Sequence, residues 1–138
     1  MLNLDQFKSK AIEFAATLKA GDVLLLNGPM GAGKTTFVGA LTSFFNYYDA
    51  SSPSFTLVNH YPTTIPILHM DLYRCTSESD ILLLDLDHYF AKVDHIIIIE
   101  WAQKAPWLNK QCNYLIDIVV NNDQTRQLSI QHQDKATR

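Results

Sequence analysis

Arginine is scarce in this sequence: Arg74, Arg126 and Arg138 are the only ones in 138 residues. With a net charge of −3 and a pI near 5.9, the chain lacks the Lys- and Arg-rich surface on which stand-alone nucleic-acid binding rests. Cysteine is nearly absent too. Cys75 and Cys112 form no CxxC pair, and the five histidines are not spaced as zinc ligands. Two reduced thiols are the expectation, as in a cytosolic protein. No apolar run approaches the roughly 20 residues that span a bilayer, and the first residues lack the basic-then-apolar order of a signal peptide. These absences predict a soluble, cytoplasmic protein with no membrane association.

Apolar residues make up 47% and charged ones 18% of the chain, a composition that buries a core. The length suits one domain, here expected over residues 1–133, with a disordered tail over 134–138. Leu4, Phe7, Ala11, Ile12, Ala15 and Leu18 recur at steps of three and four. This predicts an amphipathic helix over 3–19, capped by Asn3 with Gln6 and ended at Ala20-Gly21. Val23 to Leu26 reads as a strand buried on both faces. A glycine-rich stretch follows over 28–33, then a helix from Lys34 to Phe45.

Phe55–Tyr61 and Ile67–Met70 read as strands around a turn marked by Pro62 and Pro66. Residues 77–90 predict a short helix and a connecting segment. Four consecutive isoleucines before Glu100 favour a buried strand, since β-branched side chains are stiff in a helix. Tyr114–Val120 and Arg126–Gln131 flank Asn121-Asn122-Asp123-Gln124 as a hairpin. Helix, then strand-loop-helix, then several strands predicts an α/β fold. The expected architecture is a single-domain P-loop NTPase, with a mixed, mostly parallel central sheet and flanking helices.

Gly28-Pro29-Met30-Gly31-Ala32-Gly33-Lys34-Thr35 matches G-x-x-x-x-G-K-[ST] throughout. The spacing has a physical purpose. Glycines let the backbone turn so that its N–H groups converge on phosphate oxygens, and the following helix adds its positive end. Lys34 reaches the β- and γ-phosphates as a mobile cation. Thr35 offers a hydroxyl to magnesium, and Thr36 a further phosphate contact. A glycine-rich turn with an incidental Lys-Thr is the alternative, but an apolar strand before the pattern and a helix after it are the context that the phosphate loop requires.

A carboxylate belongs near the magnesium, at the end of a neighbouring strand. Glu100 and Asp71 are the candidates, each closing an apolar run. A strand-end acid without function is the alternative for Glu100, and a helix N-cap for Asp71.

The motifs Gly31-Ala32-Gly33-Lys34-Thr35-Thr36-Phe37, Ser52-Pro53-Ser54-Phe55-Thr56-Leu57-Val58, His69-Met70-Asp71-Leu72-Tyr73-Arg74 and Ile99-Glu100-Trp101 occur in that order. Together they resemble the TsaE (YjeE) family of bacterial ATPases in tRNA threonylcarbamoyladenosine (t6A) synthesis, over essentially the whole chain. The resemblance implies ATP and Mg2+ as cofactors and the proteins TsaB and TsaD as partners. They modify the adenosine beside the anticodon, and tRNA is met only through them. It implies Ala32 within the phosphate loop, Glu100 at the magnesium, Asp71 as an acid required for activity, and Ser54 in a switch-like loop near the γ-phosphate. Arg126 stands where the family often has an arginine opening the last strand; a surface arginine is the alternative. Pro29-Met30 replace the usual Asp-Leu of the loop, and Ser54 a threonine. A serine hydroxyl offers the same hydrogen-bonding capacity.

The expected chemistry is hydrolysis of the γ-phosphate by water, with Lys34 and the loop amides stabilising charge on the phosphate oxygens and Asp71 or Glu100 orienting the water. With few arginines to act as a finger, hydrolysis is expected to be slow alone and faster with partners. ATP over GTP follows from the resemblance, since no Asn-Lys-x-Asp motif occurs.

Trp101 and Tyr73 read first as core aromatics, with packing under the nucleotide site or contact with a partner as the alternative. Phe44, Phe45, Tyr47 and Tyr48 read as core and rim, having no interleaved basic residues. His60, His69, His88 and His95 read as surface or core residues. Glu78, Asp80, Asp85 and Asp87 form a solvated acidic face or a docking surface for a basic partner. The rival functions are a small-molecule kinase, for which the chain has too few arginines and no evident lid, and a binding module whose conformation ATP sets.

Overall fold

The computed structural model describes residues 1–29, 31, 33–53, 58–82 and 84–135, apart from the side chains of residues 78 and 104. Helix α1 covers Leu4–Ala15, and Asn3 closes a reciprocal capping box with Gln6. The chain then forms β1 (Val23–Asn27), α2 (Lys34–Ser43), β2 (Val58–Tyr61) and β3 (Ile67–Asp71). Two short helices follow, α3 (Glu78–Leu82) and α4 (Leu86–Phe90), and then β4 (Ile96–Glu100), β5 (Tyr114–Val120) and β6 (Arg126–His132).

The strands join one sheet in the order β2-β3-β4-β1-β5-β6. The inner four run parallel, while β2 and β6 are antiparallel at the edges. This is the mixed, mostly parallel α/β sheet that the alternation of elements predicts. The apolar runs Val23–Leu26 and Ile96–Ile99 occupy its centre because both faces there are covered.

Alternation along the strands sorts side chains into two cores. Leu24, Leu26, Ile96, Ile98, Ile116 and Ile118 pack against Phe7, Ala11 and Phe14 of α1 and Phe37, Val38 and Leu41 of α2. On the opposite face Val23, Leu25, Leu68, Met70, Ile97 and Ile99 meet Ile81, Leu86, Phe90 and Leu108. Leu108 lies on the second of two 3-10 turns, Ala102–Lys104 and Pro106–Lys110, which the sequence pattern does not announce. Each fully buried isoleucine contributes about 1.5–3 kcal/mol.

Polar groups fix the register at the sheet's start. Asn113 Oδ1 accepts from Val23 N at 2.6 Å, and its amide donates to Asp22 Oδ1 at 2.6 Å. Both partners are buried, so each satisfies the other. The aromatic run after α2 divides as expected: Phe45 and Tyr47 pack on the core, whereas Phe44 and Tyr48 are exposed. Of the acidic residues, Asp80 accepts from the backbone and hydroxyl of Thr76, both at 2.8 Å, and Asp85 occupies the left-handed position before α4. They stabilise local turns besides facing water. Among the described residues no helix is long and apolar enough to cross a membrane.

Candidate functional site

The site lies at the carboxyl ends of the parallel strands, where such sheets hold ligands. β1 delivers the chain into the glycine loop. Gly31 and Gly33 have φ of +81° and +100°, a region open to glycine at little cost. Gly33 is the N-cap of α2 and has no side chain with which to cap it. Its first N–H groups have no intrahelical partner and point along a positive helix end, a ready anion site.

The ends of β3 and β4 bring the two carboxylates together. Asp71 pairs in register with Glu100, and Glu100 with Leu26 of β1. Both acids are buried on the α2 side of the sheet, as is Lys34. The Lys34 ammonium lies 4.0 Å from Glu100 Oε1 and 4.1 Å from the centre of the Trp101 ring. Burial lowers the Lys34 pKa below its ordinary value, while Glu100 and Asp71 oppose that shift. The Asp71 pKa is raised, chiefly by burial; the backbone N–H of Tyr73, which donates to Oδ1 at 2.8 Å, pulls it down, Glu100 raises it, and Lys34 and His69 lower it. Asp71 thus closes a tight turn and does not cap a helix, since α3 begins only at Glu78.

One cavity of about 550 Å³ collects Gly31, Gly33, Lys34, Thr35 and Thr36 from the loop, Asp71 and Glu100 from the strand ends, and Arg126 from the start of β6. Ser52, Tyr73, Arg74 and Trp101 complete its wall. Ala32 and Ser54 lie outside the described residues. Arg126 is held from both sides: its backbone exchanges two 2.9 Å hydrogen bonds with Leu2, and its guanidinium lies 5.4 Å from the centre of the Phe7 ring. Arg126 Nε is buried and has no hydrogen-bond partner among the described residues. A Cβ on Gly33 would come within 3.0 Å of it. A buried N–H donor without a partner costs about 1–3 kcal/mol, and an anion in the loop would supply one. This is not the behaviour of a surface arginine.

Two sequence expectations need correction. Trp101 and Tyr73 are not simply core aromatics. They lie 4.9 Å apart at the cavity wall, Tyr73 is exposed, and Trp101 adopts φ +59°. A non-glycine residue there is uncommon, and such backbone clusters at working sites. The second is His69, which is core, one of the two expected readings, but is also hydrogen-bonded through Nε2 to Glu100 Oε2, a partner the sequence does not show. Its position two residues before Asp71 on a strand was the available signal, because that spacing puts both on one face.

The comparisons with known proteins show the family. The family model described as threonylcarbamoyl adenosine biosynthesis protein TsaE matches residues 2–130. The chain belongs to the TsaE family. Proteins named tRNA threonylcarbamoyladenosine biosynthesis protein TsaE include one from a Nostoc species, 38% identical over 120 residues, covering 83% of this chain and 72% of the relative. Another, from Aquifex aeolicus, is 35% identical over 124 residues, covering 87% and 84%. The crystal structure of Bacillus subtilis YdiB superposes with a TM-score of 0.71 at 30% identity, over 94% of this chain and 80% of that one. TsaE proteins act in t6A biosynthesis, so the cavity belongs to a component of tRNA modification.

The paired acids carry a stability cost in this TsaE-family chain. The raised Asp71 pKa means that the folded protein holds that proton to a higher pH than the unfolded chain does. The stability linked to Asp71 therefore falls as pH rises from the ordinary carboxyl range through the raised value. Asp71→Asn keeps an oxygen for the Tyr73 N–H and removes the buried charge. It is expected to stabilise the ligand-free protein by about 1 kcal/mol, or about 3–5 °C in thermal midpoint, near neutral pH but not near pH 4. A midpoint difference that stays constant between those conditions would count against this account.

Proposed function

We propose that the chain is a magnesium-dependent ATPase that supports turnover of a TsaB–TsaD complex in t6A synthesis, meeting tRNA only through those proteins. The observation that carries this reading is the convergence of an uncapped helix start, a buried lysine, two adjoining carboxylates and an unsatisfied arginine N–H in one cavity. A nucleotide polyphosphate with its magnesium would answer each of these groups.

Magnesium fits the donor set. Among the described residues no cluster of three or more His, Cys, Asp or Glu forms a cation cage, and magnesium in phosphate sites uses one or two protein oxygens, the phosphates and water. The Thr35 hydroxyl and Glu100 would hold it, and when bound it would neutralise charge on the β- and γ-phosphates. Lys34 would bind the same phosphates from the helix side. The loop amides of Gly31 to Thr36, Ala32 included, would take the remaining oxygens, with Arg126 Nε as a further donor. Asp71 would orient the attacking water, its raised pKa making it a better proton acceptor than an exposed aspartate. Ser54 is assigned to the γ-phosphate side on its sequence pattern alone.

The base would take a neighbouring groove. A groove of about 630 Å³, lined by Leu2, Phe14, Leu128 and Ile130, shares Arg126 with the phosphate cavity. A mainly apolar trough beside a polar one suits a purine beside its phosphates.

The deciding experiment is magnesium-dependent ATP hydrolysis by the pure protein, with and without TsaB and TsaD, using Lys34→Ala as control. Slow turnover that the partners stimulate, and that Lys34→Ala abolishes, is the expected result. ATP binding without any stimulation would leave a nucleotide-dependent binding module.

A further inference from the structure

The Glu100 carboxylate touches two nitrogen-bearing side chains unequally. The Lys34 contact, at 4.0 Å, stands at the outer limit of an ion pair, whereas His69 Nε2 is in direct hydrogen-bond contact with Oε2. The imidazole therefore sets the direction of the carboxylate, leaving Oε1 on the Lys34 side. Nothing in the hydrolytic reading uses His69, yet the ring is fully buried and flanked by polar groups at both nitrogens.

The second nitrogen leads elsewhere. His69 Nδ1 lies 2.9 Å from the Tyr61 hydroxyl. That hydroxyl meets the backbone of Ser51 on both sides, accepting from Ser51 N at 3.2 Å and lying 2.9 Å from Ser51 O, an acceptor. Asn59 Nδ2 also donates to the Ser51 carbonyl, at 3.1 Å. Tyr61 is itself fixed, stacked on Tyr47 with ring centres 4.8 Å apart. The next residue, Ser52, forms part of the cavity wall.

A hydroxyl carries one hydrogen, and here it has two acceptor positions, Ser51 O and His69 Nδ1. An ionised Glu100 accepts only, so the proton shared with it sits on Nε2. The neutral ring then presents Nδ1 as an acceptor. In that state Tyr61 O–H turns to the ring and the Ser51 carbonyl relies on Asn59. A shift of the Ser51–Ser52 backbone thus changes which acceptor the hydroxyl serves, and with it the hold on the ring that directs Glu100. Low local dielectric strengthens each bond of such a buried chain and makes any broken one costly.

We infer that His69 is a positioning residue which, through Tyr61, couples the Ser51–Ser52 loop to the Glu100 carboxylate. The inference rests on the proposed role of Glu100 at the magnesium site. It adds that engagement of the loop by nucleotide or partner reaches that site along Ser51, Tyr61, His69 and Glu100.

The test uses three conservative variants of the full chain, each checked for folding by its thermal midpoint. In His69→Gln the amide stands in for Nε2 and keeps the Glu100 contact. In His69→Asn it stands in for Nδ1 and loses that contact. Tyr61→Phe cuts only the link to the loop. Binding of ADP is titrated with and without magnesium, and ATP hydrolysis is followed against magnesium concentration.

His69→Asn is expected to lower magnesium-dependent binding or turnover by about 10–100-fold, the usual effect of removing a support behind a metal-site group. Binding of ADP without magnesium should change by no more than about twofold. His69→Gln should recover most of the loss. Tyr61→Phe combined with His69→Gln should cost no more than the worse of the two singles, because both cut one chain.

Equal losses in His69→Gln and His69→Asn, or additive losses in the double variant, would mean that the ring merely fills space, and would overturn the inference. So would wild-type magnesium dependence in folded His69→Asn and Tyr61→Phe. If the unmutated protein shows no magnesium-dependent nucleotide binding, the reading of the site fails first and takes the relay with it.

Discussion

Replacing Lys34 with alanine is expected to lower ATP turnover by about 10²–10³-fold, the cost of removing one charge-stabilising donor from a preorganised site. The structure shows how closely Lys34 is held. Lys34 is buried between Glu100 and the face of Trp101. Of the other described cations at the cavity, Arg126 is tied by its backbone to Leu2 and by its guanidinium to the Phe7 ring. Without ligand, Lys34 also offsets the charge of two adjoining acids. Its removal leaves Glu100 and Asp71 facing each other, and a buried charge stripped of its partner is expensive. The variant should therefore combine lost turnover with a lower thermal midpoint for the ligand-free protein. Hydrolysis and melting of the same sample check both. Unchanged turnover would remove Lys34 from the chemistry.

Glu100→Gln is the second large effect. The substitution keeps the shape and a hydrogen bond to His69, so the fold should survive. It removes the negative charge that the proposed magnesium site needs. Turnover should fall by about 10²-fold or more, while nucleotide binding through the loop amides and Lys34 persists. Comparing binding with single-turnover hydrolysis separates the two quantities. The variant also discriminates between functions. If it binds ATP, fails to hydrolyse it and still supports t6A formation with TsaB and TsaD, the chain works as a nucleotide-set module. If t6A formation falls with hydrolysis, the ATPase reading stands.

The parts of the site that the sequence reveals are those built from local chain. The spacing Gly28 to Thr35 specifies strand, loop and helix within one stretch, and the structure places β1 and α2 on either side of it. Asn3 and Gln6 announce the start of α1 because a capping box is complete within four residues. Ile96–Ile99 declares a central strand by its covered faces.

What stays hidden is pairing across long separations. Nothing in the sequence places Asp71 beside Glu100 until the order β3-β4-β1 is known. His69 looks like an ordinary strand residue until β4 supplies its partner. Arg126 is the same case: its orphaned N–H is meaningful only after β6 has folded back beside the loop. The left-handed backbone at Trp101 is unforeseen because local preference disfavours it; the surrounding contacts impose it.

The placement of β1 in the middle of the sheet also orders events in time. β1 is made early, but its two neighbours are β4 and β5, which lie far along the chain. During synthesis the phosphate loop leaves the ribosome attached to a strand with no partner on either edge. Pairings between distant segments form slowly because loop closure precedes their reward, and an unpaired apolar strand invites association with other chains meanwhile. Arg126 arrives later still. A nascent chain therefore carries its phosphate-loop motif long before the strands that bring Asp71, Glu100 and Arg126 to that loop have paired.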